Sequence, residues 1–463
     1  MSKPVSIENV PLNRFHQLMT VRSGGGSFVD GYVLSIIGVS MTTMSPALGL
    51  NSFWESMIAV GALLGIFFGG FLGGHLTGKL GRRAIYFIGP VLFIICSLLQ
   101  LWVDSAVATF TLRVIIGIGI GLEYPAATAF LVEFLPKRYR GPRLAGLTTC
   151  WFAGAAIAYL AGEAIIFYAG ENGWRLALAS TAVIAALVIL VRLGTPESPR
   201  WLLSKGRKEE ALHVIQKVFG KHFGLQNVPS EEKELQLSFI DLLRAGYGKR
   251  MFFVAIFWTC TVIPVFAVYA FAPRVMDALH LTGKWASYGS IAITALFVVG
   301  CVIATWLINR MGRRSLLLHS FLWSGLALLL LGTFPEAHSM LVLIMFGSYA
   351  ILIGGAQVLP LVYPNEIFPT EIRASAVGLA VSMSRIGAVV GTFLMPLSLA
   401  NAGIGITMYI AAGITFFALL VSWWLAPETR ALDLNEAASL NSNVNPLQSR
   451  SSGGPAPTPV RSN

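Results

Sequence analysis

The chain has 463 residues, of which 55% are hydrophobic and only 12% charged, and its mean hydropathy is +0.70. Soluble globular chains carry about twice that charge, so the composition excludes an ordinary soluble domain and implies a polytopic membrane protein. The net charge of +11 would suit a nucleic-acid binder, but the basic residues lie in short loops between apolar runs, where they act as topology signals.

Met1–Val21 is polar and mixed, without the apolar core of a cleaved signal peptide. A short amphipathic helix on the cytoplasmic surface is expected there. Apolar runs follow at 28–50, 54–77, 84–103, 107–135, 143–169 and 173–193, then at 251–275, 285–308, 315–334, 340–364, 373–400 and 405–426. Each is long enough to cross a bilayer as a helix. The sequence thus predicts an all-α membrane protein with twelve transmembrane helices in two six-helix bundles. Its parts are a cytoplasmic segment 1–27, bundles at 28–193 and 251–426, a linker 194–250 and a tail 427–463.

Lys79, Arg82 and Arg83, then Lys137, Arg138, Arg140 and Arg143, then Arg310, Arg313 and Arg314 crowd alternate loops. This bias places both termini in the cytoplasm, and the expected location is the plasma (inner) membrane. The linker carries charged helical patterns at Lys208–Val218 and Ser230–Leu243 and is too short and polar for a domain of its own. From Asn441 the tail is rich in Ser, Asn, Pro and Gly and is expected to be disordered.

Three motifs recur six spans apart. Gly81-Arg82-Arg83 follows the second span and Gly312-Arg313-Arg314 the eighth. Glu133 with Pro136 and Arg140 follows the fourth, and Glu366 with Pro369 and Arg373 the tenth. Pro196-Glu197-Ser198 follows the sixth and Pro427-Glu428-Thr429 the twelfth. The repetition implies two similar halves related by an axis along the membrane normal, with a site at the midplane between them. Cross-loop ion pairs among Glu133, Arg140, Arg83, Glu366, Arg373 and Arg314 could gate the cytoplasmic side, or serve as structural ties only.

These motifs resemble the major facilitator superfamily, in particular its sugar porters and related metabolite:proton carriers, over Asp30 to Glu436. Pro196-Glu197-Ser198-Pro199-Arg200-Trp201-Leu202 matches the sugar-porter pattern without change. Arg113, followed twenty residues later by Glu133 and then by Pro136, matches the family's fourth helix. The acid of the family's loop motif is replaced by Gly78 and Asn309. The seventh span lacks the sugar porters' glutamine pair, and Leu361 stands where they carry a tryptophan. The stretches Gly25–Tyr32 and Ser384–Gly387 look instead like bacterial carriers of aromatic or other small carboxylates.

Charged and polar residues inside the spans are the candidate site. Asp30 and Arg113 can pair, and by resemblance that pair couples a proton to conformation; alternatively Asp30 caps the first helix. Glu123 and Glu163 could carry a proton or bind a cation. Gln357 could contact substrate or bridge helices. Tyr124, Tyr159, Trp258 and Tyr269 could stack on a ring or mark interfaces. Arg385 lies about twelve residues into its span, with no acid from Ile372 through Leu425. It either pairs with Glu123 or Glu163, snorkels, or receives a substrate carboxylate.

No phosphate-binding loop, metal spacing or catalytic constellation occurs, so no enzyme, cofactor or metal is expected, and an ion gradient is the energy source. The four cysteines fall within apolar runs as packing residues. The leading expectation is a monomeric, proton-coupled importer of a small organic acid, aromatic carboxylates included. The alternatives are a sugar or polyol:proton symporter, an exporter of organic cations or drugs, and a non-transporting membrane sensor.

Overall fold

A computed structural model of the chain describes residues 10–228, 246–278, 284–368 and 370–430, together with Ile7. The expected helical segment 230–243 and the polar tail beyond residue 430 lie outside the described residues. All regular structure described is helical.

The first half comprises α1 (Arg14–Leu48), α2 (Ser52–Leu80), α3 (Arg82–Leu99), α4 (Ala106–Phe134), α5 (Lys137–Ala169) and α6 (Gly173–Arg192). Two short helices follow, α7 (Pro199–Ser204) and α8 (Lys208–Phe219). The second half comprises α9 (Gly248–Ala278), α10 (Lys284–Met311), α11 (Arg313–Thr333), α12 (Ser339–Leu352), α13 (Gly354–Val358), α14 (Tyr363–Ile367) and α15 (Thr370–Leu425). Ten stretches are long and apolar enough to span a bilayer. Two of them are 47 residues long, and each holds two helices: α5 with α6, and the two arms of α15 that meet at Gly403. The expected tenth span is broken at Ile353 and again after Val358, next to Pro360, which leaves α12, α13 and α14 in series.

One expectation is corrected at the start of the chain. Helix α1 begins at Arg14, capped by the Asn13 side chain, which accepts from the His16 N–H at 3.0 Å. Residues 14–27, expected to lie outside the first bundle, are continuous with it. Asp30 is therefore in the interior of α1 and caps nothing. Gly24, Gly25 and Gly26, which weaken a helix in water, lie inside α1. In a membrane helix, however, small residues bring neighbouring helices together and the backbone must bond internally.

Helix α1 packs on α5 and α6, α2 on α4, and α3 on α4 and α6. In the second half, α15 packs on α9 and α11, and α10 packs on α12 and α13. The halves meet where α2 touches α15, α5 touches α10 and α1 touches α9. The closest approaches rest on glycine: a Cβ on Gly31 would strike the Trp151 carbonyl, and one on Gly154 the Phe28 carbonyl. The amphipathic α8 buries Ala211, Val214, Ile215 and Val218; Ala211, Val214 and Val218 join a cluster with Met19, Phe130, Phe134 and Trp201. Trp102, Tyr168, Trp423 and Trp424 are exposed at or near span ends, as interfacial aromatics are.

The α1–α5 contact gives a first test. Gly154→Val forces those helices apart and should cost about 1–3 kcal/mol, the usual penalty of overpacking. Gly146→Ala, where a Cβ meets nothing, should be neutral. Detergent melting curves of both variants check this, and equal melting of the two would remove the packing role of Gly154.

Candidate functional site

The most deeply buried charges form one group in the first half. Arg192, the last residue of α6, is fully buried and pairs through Nη2 with Glu123 of α4, which is 1% exposed. Its Nη1 donates to the Tyr86 carbonyl at 2.6 Å, and its guanidinium lies 3.7 Å from the Tyr86 ring centroid. A carboxylate, a carbonyl and a ring face together satisfy a guanidinium out of water. Gly26 of α1 and Gly89 of α3 make room: a Cβ on Gly26 would strike both Arg192 and Glu123, and one on Gly89 would lie 2.7 Å from Glu123 Oε2. Beside them Arg22 donates to the carbonyls of Val191 at 2.9 Å and Leu193 at 2.7 Å, which fastens α1 to the end of α6.

Sequence reasoning placed Arg192 at the end of the sixth span, 173–193, and gave it no role. The available signal was its position in the final turn of an apolar run. Helical side chains lean toward the N-terminus, so a basic residue there reaches back into the bundle.

The expected Asp30–Arg113 pair is not formed. Arg113 of α4 is 1% exposed and donates through Nη1 to the Val33 carbonyl at 2.7 Å, and its Nε and Nη2 have no hydrogen-bond partner among the described residues. Asp30 is 4% exposed, and its Oδ1 is likewise without a partner. The charged groups that act on Asp30 are Glu123, Arg192 and Arg385. Arg113 reaches a carbonyl three residues along α1 instead.

Arg385 of α15 is half-buried, with its guanidinium 5.8 Å from the Phe266 ring centroid of α9. It makes no hydrogen bond or ion pair among the described residues, and its Nε is buried. The expected tie to Glu123 is absent because Arg192 holds that carboxylate. Phe266 in turn lies 5.6 Å from Trp151 of α5. Tyr124 of α4 is half-buried and feels both Arg385 and Asp30. Asp30, Tyr124, Trp151, Phe266 and Arg385 thus bring together five elements, three from the first half and two from the second.

Other expected residues lie elsewhere. Glu163 is half-buried on α5 and is not among the charges acting on Asp30 or Arg385. Tyr159 and Trp258 are buried in the apolar core. Gln357 donates to the Thr261 carbonyl at 3.4 Å and so bridges α13 to α9. The side chains of Tyr269 and Arg373 lie outside the described residues.

The three repeated motifs converge in two matching clusters. Glu133 pairs with Arg82 at 3.1 Å and accepts from the Ser198 hydroxyl, while Glu197 accepts from the backbone N–H groups of Arg82 and Arg83 at 3.1 Å. In the second half Glu366 pairs with Arg313 at 2.8 Å and accepts from Thr429 at 2.5 Å. Glu428 accepts from the N–H groups of Arg313 at 2.9 Å and Arg314 at 3.1 Å. Gly81 and Gly312, at φ of 97° and 87°, start α3 and α11 without a capping side chain. Glu197 and Glu428 supply the caps from a distant loop, where a Cβ on either glycine would collide. Burial pushes the Glu197 carboxyl above its ordinary value, against the pull of the Ser198, Arg83 and Arg82 N–H groups and the Arg82 charge. The expected Glu133–Arg140 partnership is replaced by Glu133–Arg82, and Arg140 Nε donates to the Leu135 carbonyl. Arg83 enters only through its backbone N–H, whereas Arg314 also donates from its side chain to the Trp423 carbonyl at 2.9 Å.

Apolar helical segments in two repeated halves, with charges buried among them, are the build of a membrane transporter. Residues 18–440 match the family described as sugar (and other) transporter, and the chain belongs to that family. It is 36% identical over 441 residues to the inner membrane metabolite transport protein YgcS of Escherichia coli (strain K12), covering 95% of this chain and 97% of that protein. The arabinose-proton symporter of Bacillus subtilis (strain 168) is 25% identical over 94% of this chain and 98% of its own. The niacin transporter NiaP of Acinetobacter baylyi (strain ATCC 33305 / BD413 / ADP1) is 24% identical over 83% of this chain and 87% of its own. The solved structure of the xylose transporter XylE from E. coli in a partially occluded inward open conformation shares the fold, with a TM-score of 0.77 at 22% identity over 90% of this chain and 99% of that one.

The clusters give a second test. Glu197→Ala and Glu428→Ala each remove a helix cap, worth about 0.5–2 kcal/mol. Both variants should melt below the parent protein in detergent. Unchanged melting in both would remove the capping role.

Proposed function

We propose that the protein is a proton-coupled secondary transporter that takes up a small organic acid by alternating access, from the plasma membrane, with both termini and residues 194–250 on the cytoplasmic side. The observation that carries the substrate class is Arg385. Its guanidinium stands beside Phe266, at the contact between halves, and makes no hydrogen bond or ion pair among the described residues. A guanidinium left so is costly unless it meets a wet cavity or an anion, and its planar fork fits a carboxylate through two hydrogen bonds. Phe266 and Trp151 supply apolar faces for a ring. Niacin, named for one relative, is a compact aromatic acid of this kind. Asp30, buried with one oxygen unpartnered, is the proton site of this reading, and Arg113, held at the Val33 carbonyl of the same helix, keeps the coupling role that the family resemblance gives it.

A sugar or polyol:proton symporter is the second reading, supported by the names of the arabinose and xylose transporters among the relatives. Against it stand the missing glutamine pair of the seventh span and Leu361 in place of tryptophan. Cation export fits less well, since Glu123 is already neutralised by Arg192.

One set of proteoliposome experiments with radiolabelled nicotinate and L-arabinose separates the readings. Asp30→Asn should lose pH-gradient-driven accumulation of nicotinate and keep exchange. Arg385→Lys should weaken nicotinate binding and Arg385→Ala should weaken it further, by about 30-fold or more, as for truncated buried charge contacts of roughly 2–5 kcal/mol. Accumulation of arabinose but not nicotinate, or unchanged affinity in Arg385→Ala, would move the assignment to the sugar reading.

A further inference from the structure

Two buried carboxylates share one arginine. Arg192 pairs with Glu123 Oε1 and also acts electrostatically on Asp30. Glu123 Oε2 and Asp30 Oδ1 are both buried without a hydrogen-bond partner. The contact between Arg192 and Glu123 lies against Gly26, and Asp30 is four residues farther along α1. That is the same helical face, about 6 Å up the axis. The other titratable or charged groups around this contact are Arg22 on α1, Tyr86 on α3, Tyr124 on α4, Cys150 on α5 and Arg385 on α15. Arg22 is occupied by the Val191 and Leu193 carbonyls, and the Tyr86 hydroxyl lies 3.4 Å from Ser23 Oγ. Within this group, Glu123 and Arg192 form the one ion pair among the described residues.

We propose that Glu123 and Arg192 are positioning residues for proton coupling, the pair whose opposed charges determine when Asp30 releases its proton. Glu123 repels the ionised form of Asp30 and Arg192 attracts it. While Arg192 is held by Glu123, the two effects oppose one another at Asp30. Arg192 is the last residue of α6, and Arg22 ties the next turn of chain to α1. Any shift of the α6 end relative to α1 alters that balance. The position of the cytoplasmic end of the bundle is thereby made known to the acid one turn deeper. This rests on Asp30 being the proton site.

The test needs no substrate. Infrared difference spectra of the full-length protein in liposomes, recorded from acid to alkaline pH, report buried carboxyl bands, and the band missing in Asp30→Asn belongs to Asp30. Glu123→Gln removes the repelling anion and frees Arg192 for Asp30, so the Asp30 midpoint should move toward acid by about one pH unit. Arg192→Gln should move it toward alkaline pH by a similar amount. The double variant Glu123→Gln/Arg192→Gln removes both charges of the pair and strands neither, and so guards against a single variant that fails to fold; its midpoint should lie between those of the two single variants. A structural role alone would not give shifts of opposite sign. An Asp30 band unmoved by either substitution, or moved the same way by both, overturns this inference and leaves coupling through Asp30 standing. If no titrating band is missing in Asp30→Asn, the coupling reading itself falls.

Discussion

The structure depends on what a guanidinium needs when it is taken out of water. Three arginines of the first half are buried in the bundle, and each is accommodated differently. Arg192 has a carboxylate, a carbonyl and a ring. Arg22 has two carbonyls at the end of α6. Arg113 has a single carbonyl and two nitrogens without partners. Arg385, on the facing half, lies over the Phe266 ring and has no hydrogen bond or ion pair among the described residues. In a low-dielectric interior these differences are large, because the penalty for an incompletely paired charge exceeds most packing terms. The satisfied arginines hold helices together. The incompletely paired ones, Arg113 and Arg385, are those given the proposed coupling and substrate roles.

That division of labour runs through the architecture. Each half ties three loops into one cluster, with a glutamate on a distant loop capping the helix that begins after a positive-φ glycine. Each half can then behave as a unit, while the contacts between halves are made by α2 with α15, α5 with α10 and α1 with α9. Arg385 and Phe266 come from one unit, Asp30, Tyr124 and Trp151 from the other. In the proposed alternating access, a site split in this way is exposed or enclosed by relative motion of the units.

Much of the fold was legible because hydropathy is a collective signal, spread over some twenty residues at a time. The repeats were legible because three motifs recur in order. Partner choice was not, because it depends on a few ångströms. Glu133 and Arg140 are close in sequence, yet Arg82 takes Glu133 and Arg140 turns to the Leu135 carbonyl. Asp30 and Arg113 have opposite charges, yet Arg113 meets Val33. Residues 14–27 read as lying outside the first bundle, yet they belong to α1, where Gly26 admits Arg192 and Glu123. Trp258 and Tyr159 read as ring-binding candidates and proved to be core. The aromatic neighbour of Arg385 is Phe266, eight residues beyond Trp258 and so on a different turn of α9.

The central claim is that the junction between halves recognises a negative charge. Its most direct test is equilibrium binding of matched acid and amide pairs, nicotinate against nicotinamide and benzoate against benzamide, to the purified protein by calorimetry. The rings are the same and only the charge differs. The account requires the acids to bind at least about tenfold more tightly than the amides, the equivalent of one charge-assisted contact. Equal binding of acid and amide, or no binding of either beside measurable binding of a pentose, would contradict it.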